Sequence, residues 1–303
     1  MLYRTLLAAT VLSSITVAQQ QSNYPPHMPE ARVETYKSVE GTDLKIWIFE
    51  PEGHEASDSR PAIVFFFGGG WRRGTPGQFR HQAKHLAARG MVAMAADYRV
   101  LSRHGVKGHK CVQDAKSAIR WARANAKRLG IDPNRLAAGG GSAGGHLAAS
   151  TATLPDHDDP SGDKSISSKP DALALFNPGM VLASVPGKFE LDKEQIASRA
   201  ERAGVEPESI SPYHHIKSGF PAAIIFHGKA DTTVLYRTAE LFTEKVRSVG
   251  SRCDLVGYEG EIHGFFNYGR GDGSAYTDTV RRMDDFFVSL GWLEPSVSDK
   301  PSD

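Results

Sequence analysis

The chain has 303 residues, of which 40% are hydrophobic and 23% charged, and its formal net charge is +1. Such a length admits one large domain or two ordinary ones, and the composition is that of a globular protein able to bury a sizeable core. The near balance of charge removes the electrostatic case for nucleic acid or an anionic membrane surface as partner, and favours small neutral or mixed substrates.

Residues 1–18 read as a secretory signal peptide. Arg4 supplies the positive start, Thr5 to Val17 the apolar stretch, and Thr16-Val17-Ala18 the small residues before a cut near Gln19. The apolar run is too short to span a bilayer, so no membrane span is expected after cleavage, and the mature chain is read as secreted or periplasmic. Cys111 and Cys253 carry no disulfide or metal spacing and are expected to be free, buried thiols.

From Arg32 onward strands and helices alternate. Val33 to Val39 and Leu44 to Phe49, with Leu44, Ile46 and Ile48 on one face and a turn at Gly41-Thr42-Asp43, predict an antiparallel hairpin. Ala62 to Phe67 is a fully apolar strand ending in Gly68-Gly69-Gly70-Trp71, followed by a helix near Gln78 to Arg89 and another buried strand from Met91 to Tyr98. Val112, Ala115, Ile119, Ala122, Ala126 and Leu129 recur at helical spacing, with Lys116, Arg120, Arg123 and Lys127 on the opposite face. Arg135 to Ala138 is a short strand and Ala143 to Thr153 a helix. The strands Ala172–Phe176 and Ala222–Phe226 flank a long polar segment, 179–219, within which Leu191 to Ala203 reads as a charged helix. A helix through Leu235, Ala239, Phe242, Val246 and Val249, a strand from Asp254 to Tyr258 and a closing helix through Val280, Met283, Phe287 and Leu290 complete the pattern. Continuous apolar strands joined by helices imply one α/β domain over 33–293, a mostly parallel sheet covered on both faces, with a disordered tail at 294–303.

The chemistry concentrates at Gly139 to His146, where Gly140-Gly141-Ser142-Ala143-Gly144 forms a Gly-x-Ser-x-Gly. A serine hydroxyl is a poor nucleophile, and a strained strand-to-helix turn that exposes it to a histidine tolerates only tiny neighbours. Ser142 is the candidate nucleophile. Asp231, where the strand Ala222–Phe226 runs into His227-Gly228-Lys229-Ala230, and His263, beyond the strand ending at Tyr258, lie on loops at strand carboxyl ends. The order Ser142, Asp231, His263 is the one an α/β hydrolase requires. His227 is a rival base, although its place at a strand end favours a structural role, as does the position of His146 on the helix after the elbow. His81, His85, His104 and His109 form no ligand pattern, so neither a metal nor an organic cofactor is implied. Asp114, Asp132 and Arg135 read as helix-end and turn polar groups.

Phe67-Gly68-Gly69-Gly70-Trp71, Gly140 to Gly145, His227 to Asp231 and His263-Gly264-Phe265 together resemble the esterase/lipase branch of the α/β hydrolases, which holds the hormone-sensitive-lipase-like and carbohydrate-esterase-like enzymes. Asp97-Tyr98-Arg99 and Ser211 to Ile216 resemble it too, and the similarity covers roughly residues 33–292. Two positions depart from the commonest pattern: Phe67 stands where His is frequent, and Gly141 where an acidic residue is frequent. The resemblance implies an oxyanion hole from the amides of Gly69, Gly70 and Ala143. Each well-aimed donor of that kind is worth about 10²–10³ in rate. It also implies a serine esterase working through an acyl-enzyme, and with residues 1–18 read as an export signal the enzyme is expected to be secreted. Little chain precedes the first strand to form an N-terminal cap, which favours short acyl groups on a bulky alcohol such as an acetylated carbohydrate. The alternatives are a lipase-like esterase for longer chains, a serine peptidase, or a non-catalytic binding protein on a hydrolase scaffold; oligomeric state is left open.

Overall fold

The computed structural model describes residues 24–295. The signal-peptide reading of 1–18 and most of the 294–303 tail therefore lie outside the described residues.

Eight strands form one sheet: β1 (Arg32–Val39), β2 (Thr42–Phe49), β3 (Arg60–Phe66), β4 (Val92–Ala96), β5 (Ile131–Gly141), β6 (Ala172–Phe176), β7 (Ala222–Gly228) and β8 (Cys253–Tyr258). Their order across the sheet is β1-β2-β4-β3-β5-β6-β7-β8. The hairpin β1–β2 is antiparallel, β2 meets β4 antiparallel, and every later pairing is parallel. The hairpin turns at Glu40-Gly41, one residue earlier than the sequence pattern placed it, because both residues take left-handed φ values of 49° and 74°. That pair of φ values matches the right-handed twist of the flanking strands, as a two-residue hairpin needs.

The helices are α1 (Arg80–Ala88), α2 (Leu101–His104), α3 (Gly108–Ala124), α4 (Ala143–Thr153), α5 (Lys193–Ala203), α6 (Tyr236–Ser248) and α7 (Ser274–Ser289). On one face of the sheet Val112, Ile119, Leu147 and Phe242 from α3, α4 and α6 pack on Ile46, Val64, Leu173 and Ile225. On the other, Leu86, Met283 and Phe287 from α1 and α7 pack on Ile63, Phe65 and Phe226. Burial on both faces is why the parallel strands are continuously apolar.

Several boundaries differ from the sequence pattern. The helical spacing runs to Leu129, yet α3 ends at Ala124, where Asn125 turns its own side chain back onto the Trp121 carbonyl at 2.8 Å. Ala126 and Leu129 stay in the core from the turns that follow. β4 stops at Ala96, β5 is much longer than Arg135–Ala138, and the closing helix starts at Ser274. Asp114 is no helix-end group. It sits fully buried inside α3, where Arg99 Nε and Nη2 bind its carboxylate at 2.8 and 2.9 Å and Lys37 Nζ at 2.7 Å. Asp132 does hold a turn, accepting from the Asn134 amide and Arg135 Nε, each at 2.9 Å.

The direction of the chain across the sheet locates the site. β4 is added on one side of β3 and β5 on the other, so the loops leaving β3 and β5 diverge from neighbouring strand ends. Ligands in open parallel sheets bind at such a switch point.

Candidate active site

β5 delivers Ser142 at φ 54° and ψ −116°, a left-handed backbone that a non-glycine residue adopts only under constraint. The constraint is steric. A Cβ on Gly140 would run into the Gly144 backbone and the Phe66 carbonyl, and one on Gly144 into the Phe66 and Phe67 carbonyls. The turn thus presses directly on the end of β3. The two departures from the family pattern have packing reasons. A side chain at 141 would collide with the Phe266 ring, and Phe67 stacks on Tyr98 with centroids 4.0 Å apart while Tyr98 Oη donates to the Phe67 carbonyl at 2.7 Å.

The three sequence candidates come together. His263 Nε2 lies 2.9 Å from Ser142 Oγ, and His263 Nδ1 lies 2.6 Å from Asp231 Oδ2. The other oxygen of Asp231 accepts from the amides of Thr233 at 2.8 Å and Val234 at 2.9 Å. Burial opposes ionisation of Asp231, but hydrogen bonds from His227 and His263 and from the Val234 amide outweigh it and hold the carboxyl well below the usual carboxylate range. An ionised acceptor fixes the proton of His263 on Nδ1 and leaves Nε2 free to accept from the serine. His227, the rival base, is fully buried, with Nε2 2.8 Å from the Val234 carbonyl and 3.4 Å from Asp231 Oδ2. It buttresses the acid rather than facing the nucleophile.

Gly69 and Gly70 take φ values of 119° and 65°, and together with Ala143 they line the same cavity as Ser142 and His263. Ala143 opens α4, so its amide has no partner within the helix. Polar residues outside the sequence motifs hold this arrangement. Gln78 Oε1 accepts from the Gly68 amide at 2.6 Å, Gln78 Nε2 donates to Asn267 Oδ1 at 2.9 Å, and Asn267 Nδ2 donates to the Gly264 carbonyl at 2.7 Å. Asn177 Oδ1 accepts from the Gly264 amide at 2.9 Å. The Gly68–Gly70 loop and the His263 loop are therefore joined by side-chain amides far apart in the chain, with no local motif to reveal them.

The cavity measures about 960 Å³. Trp71 and His146 form part of its wall, with ring centroids 4.9 Å apart. Burial pushes the His146 imidazole down to about 4, and its Nε2 donates to the Ile210 carbonyl at 2.6 Å, so it serves as a neutral structural group. Segment 179–219 supplies another wall through Val181, Leu182 and Phe189 and through α5, whose first turn is fixed by a capping box between Asp192 and Gln195. The cleft is thus less open than the short N-terminal region implies.

Comparison with known proteins agrees with this geometry. The family model described as BD-FAE matches residues 47–246. The esterase LipC of Mycobacterium tuberculosis is 30% identical over 225 residues, covering 68% of this chain and 53% of LipC. Carboxylesterase NlhH of the same species is 26% identical over 87% of this chain and 85% of its own length. Among solved structures, the propionate-bound esterase Est2 of Thermogutta terrifontis superposes with a TM-score of 0.85 at 53% identity, covering 90% of this chain and 99% of that one. The same esterase phosphonylated by sarin gives 0.87 at 52%, with the same coverage. The chain belongs to the BD-FAE family and is an enzyme of the esterase/lipase branch of the α/β hydrolases.

Proposed function

We propose that Ser142, His263 and Asp231 hydrolyse carboxylic esters through an acyl-enzyme. The observation that carries this is the unbroken chain of contacts, 2.6 Å from Asp231 to His263 and 2.9 Å from His263 to Ser142, with Ser142 and His263 lining one cavity. His263 Nε2 takes the proton of Ser142 Oγ as the oxygen attacks the ester carbonyl carbon. The negative charge moves onto the carbonyl oxygen, which accepts from the amides of Gly69, Gly70 and Ala143. Collapse of the tetrahedral species breaks the bond to the alcohol, which leaves with the proton from His263. Water then repeats the sequence on the acyl-serine, with His263 again as base, and releases the acid. A fluorophosphonate probe tests the nucleophile: wild type becomes labelled and Ser142→Ala does not. Labelling of both proteins alike would rule Ser142 out.

The preferred acyl group in this reading is short. Support comes from the Thermogutta terrifontis esterase, solved with propionate and with butyrate. The apolar residues Val181, Leu182 and Phe189 favour the competing reading, a longer chain, because each CH₂ they covered would add about 0.8 kcal/mol. A panel of aryl esters from acetate upward decides: kcat/KM that falls beyond butyrate supports the short-acyl reading, and a steady rise with length replaces it. Acetyl release from an acetylated polysaccharide such as xylan tests a carbohydrate alcohol in the same way. Export belongs to the proposal too, resting on residues 1–18. Recovery of the enzyme outside the cytoplasm with Gln19 as its first residue is the expected outcome, and retention with Met1 intact counts against it.

A further inference from the structure

Four arginines line the catalytic cavity: Arg72 and Arg73, directly after the oxyanion loop, and Arg199 and Arg202, on α5. Arginines elsewhere in the fold are mostly tied to carboxylates, as in Arg99 to Asp114, Arg89 to Asp284 and Arg123 to Asp171. These four form no ion pair among the described residues, and the one side-chain hydrogen bond they make is from Arg199 Nη1 to the Val181 carbonyl at 3.1 Å. A guanidinium carries five donors in a planar fork, so nearly all of this capacity is unspent. Opposing charge is scarce: Glu190 is the carboxylate of the cavity wall, and it already accepts from the Gly187 amide at 2.8 Å. Glu194 and Glu201 of α5 do not line the cavity. Arg199 is half-buried, and its guanidinium is pushed down by burial and then by repulsion from Arg202.

Arg72, Arg73 and Arg202 are exposed to solvent at the cavity and Arg199 is half-buried, and a cleft lined by one sign of charge concentrates ligands of the other. The substrate itself is the anion that such a cleft would draw in. We propose that the arginines select esters whose alcohol part bears a carboxylate, which Arg72, Arg73, Arg199 and Arg202 receive while the short acyl group lies at Ser142. The inference rests on the ester-hydrolase reading above and names the substrate class of that site.

The test compares 4-acetoxybenzoate with 4-acetoxybenzamide, which carry the same acetyl group and differ in the charge of the leaving alcohol. With wild type at low ionic strength, kcat/KM for the anion should exceed that for the amide by about tenfold or more, the size of one or two well-placed charged hydrogen bonds. Raising the salt concentration should erode the ratio, because part of the attraction acts through solvent. Arg72→Gln and Arg202→Gln, whose side chains hold no other part of the fold, should each lower the ratio, and Arg202→Glu should lower it further. A wild-type ratio near one, insensitive to salt and to these substitutions, overturns the inference while Ser142-dependent turnover of the benzamide leaves the ester-hydrolase reading standing. Failure to hydrolyse either ester overturns both.

Discussion

The elbow and the segment over it are held by different physics. Around Ser142 the backbone of β5 and α4 is jammed against the end of β3, and Gly140 and Gly144 admit no substituent without moving another strand. Segment 179–219 instead follows its own local signals, a capping box at Asp192, a left-handed Gly204 after α5, and single side-chain contacts such as His214 to Ser211 at 2.8 Å. The elbow is therefore set by backbone contacts that exclude any substituent, and the segment by local signals together with core side chains such as Met180 and Ile210. Positions near the elbow should respond to substitution in steps of many powers of ten, and those in the segment in small ratios.

The largest effect belongs to Ser142→Ala, which should cost on the order of 10⁶ in turnover, as loss of the nucleophile does in a well-studied serine protease. Far-UV circular dichroism should be unchanged, since the side chain packs against little beyond His263. Asp231→Asn comes next, with a drop of about 10⁴ in kcat, because an amide in place of the carboxylate favours the wrong tautomer of His263. A loss below tenfold would show that the carboxylate charge at 231 is not what orients the base.

A third prediction concerns stability and pH. His146 stays neutral in the fold down to about 4, whereas an unfolded histidine titrates near about 6.5. Between those values the unfolded chain holds more protons than the folded one, so acidification favours unfolding. The contribution of neutral His146 is complete above about pH 6.5 and is lost as pH falls toward 4, about 3 kcal/mol in all. Urea midpoints measured from pH 7 to 4.5 should decline, and His146→Gln should flatten that decline. An equally steep decline in the variant would place the acid sensitivity elsewhere. The smallest effect is expected in the segment: Asp192→Ala removes the cap of α5 and should cost about 1 kcal/mol or less. It should alter relative rates across an ester panel more than the rate on the best substrate, and a collapse of turnover on every ester would contradict the division drawn between the two regions.

This division also explains what could be read from the amino-acid order. Ser142 and its glycines are visible because the turn excludes other residues, and Asp231 and His263 because each follows an apolar strand by a few residues. The sheet was legible from its buried strands for the same reason. Gln78, Asn177 and Asn267 were not, since their partners lie up to 189 positions away and a side-chain amide has no required spacing. The end of α3 was hidden because Ala126 and Leu129 keep core positions after the helix has stopped. The burial of Asp114 was hidden because its cations, Arg99 and Lys37, come from other elements.

The two cysteines have a use of their own. Cys111, on α3, and Cys253, at the start of the edge strand β8, are both unpaired and buried, and burial pushes their thiols up, Cys253 to about 11. A thiol kept protonated and out of solvent does not react. Each is therefore a chemical clock already built into the chain: under a thiol reagent, Cys253 reports when the sheet edge opens and Cys111 when the helix beneath the hairpin does. Comparing the two labelling rates would time the order in which this enzyme comes apart, with no residue altered.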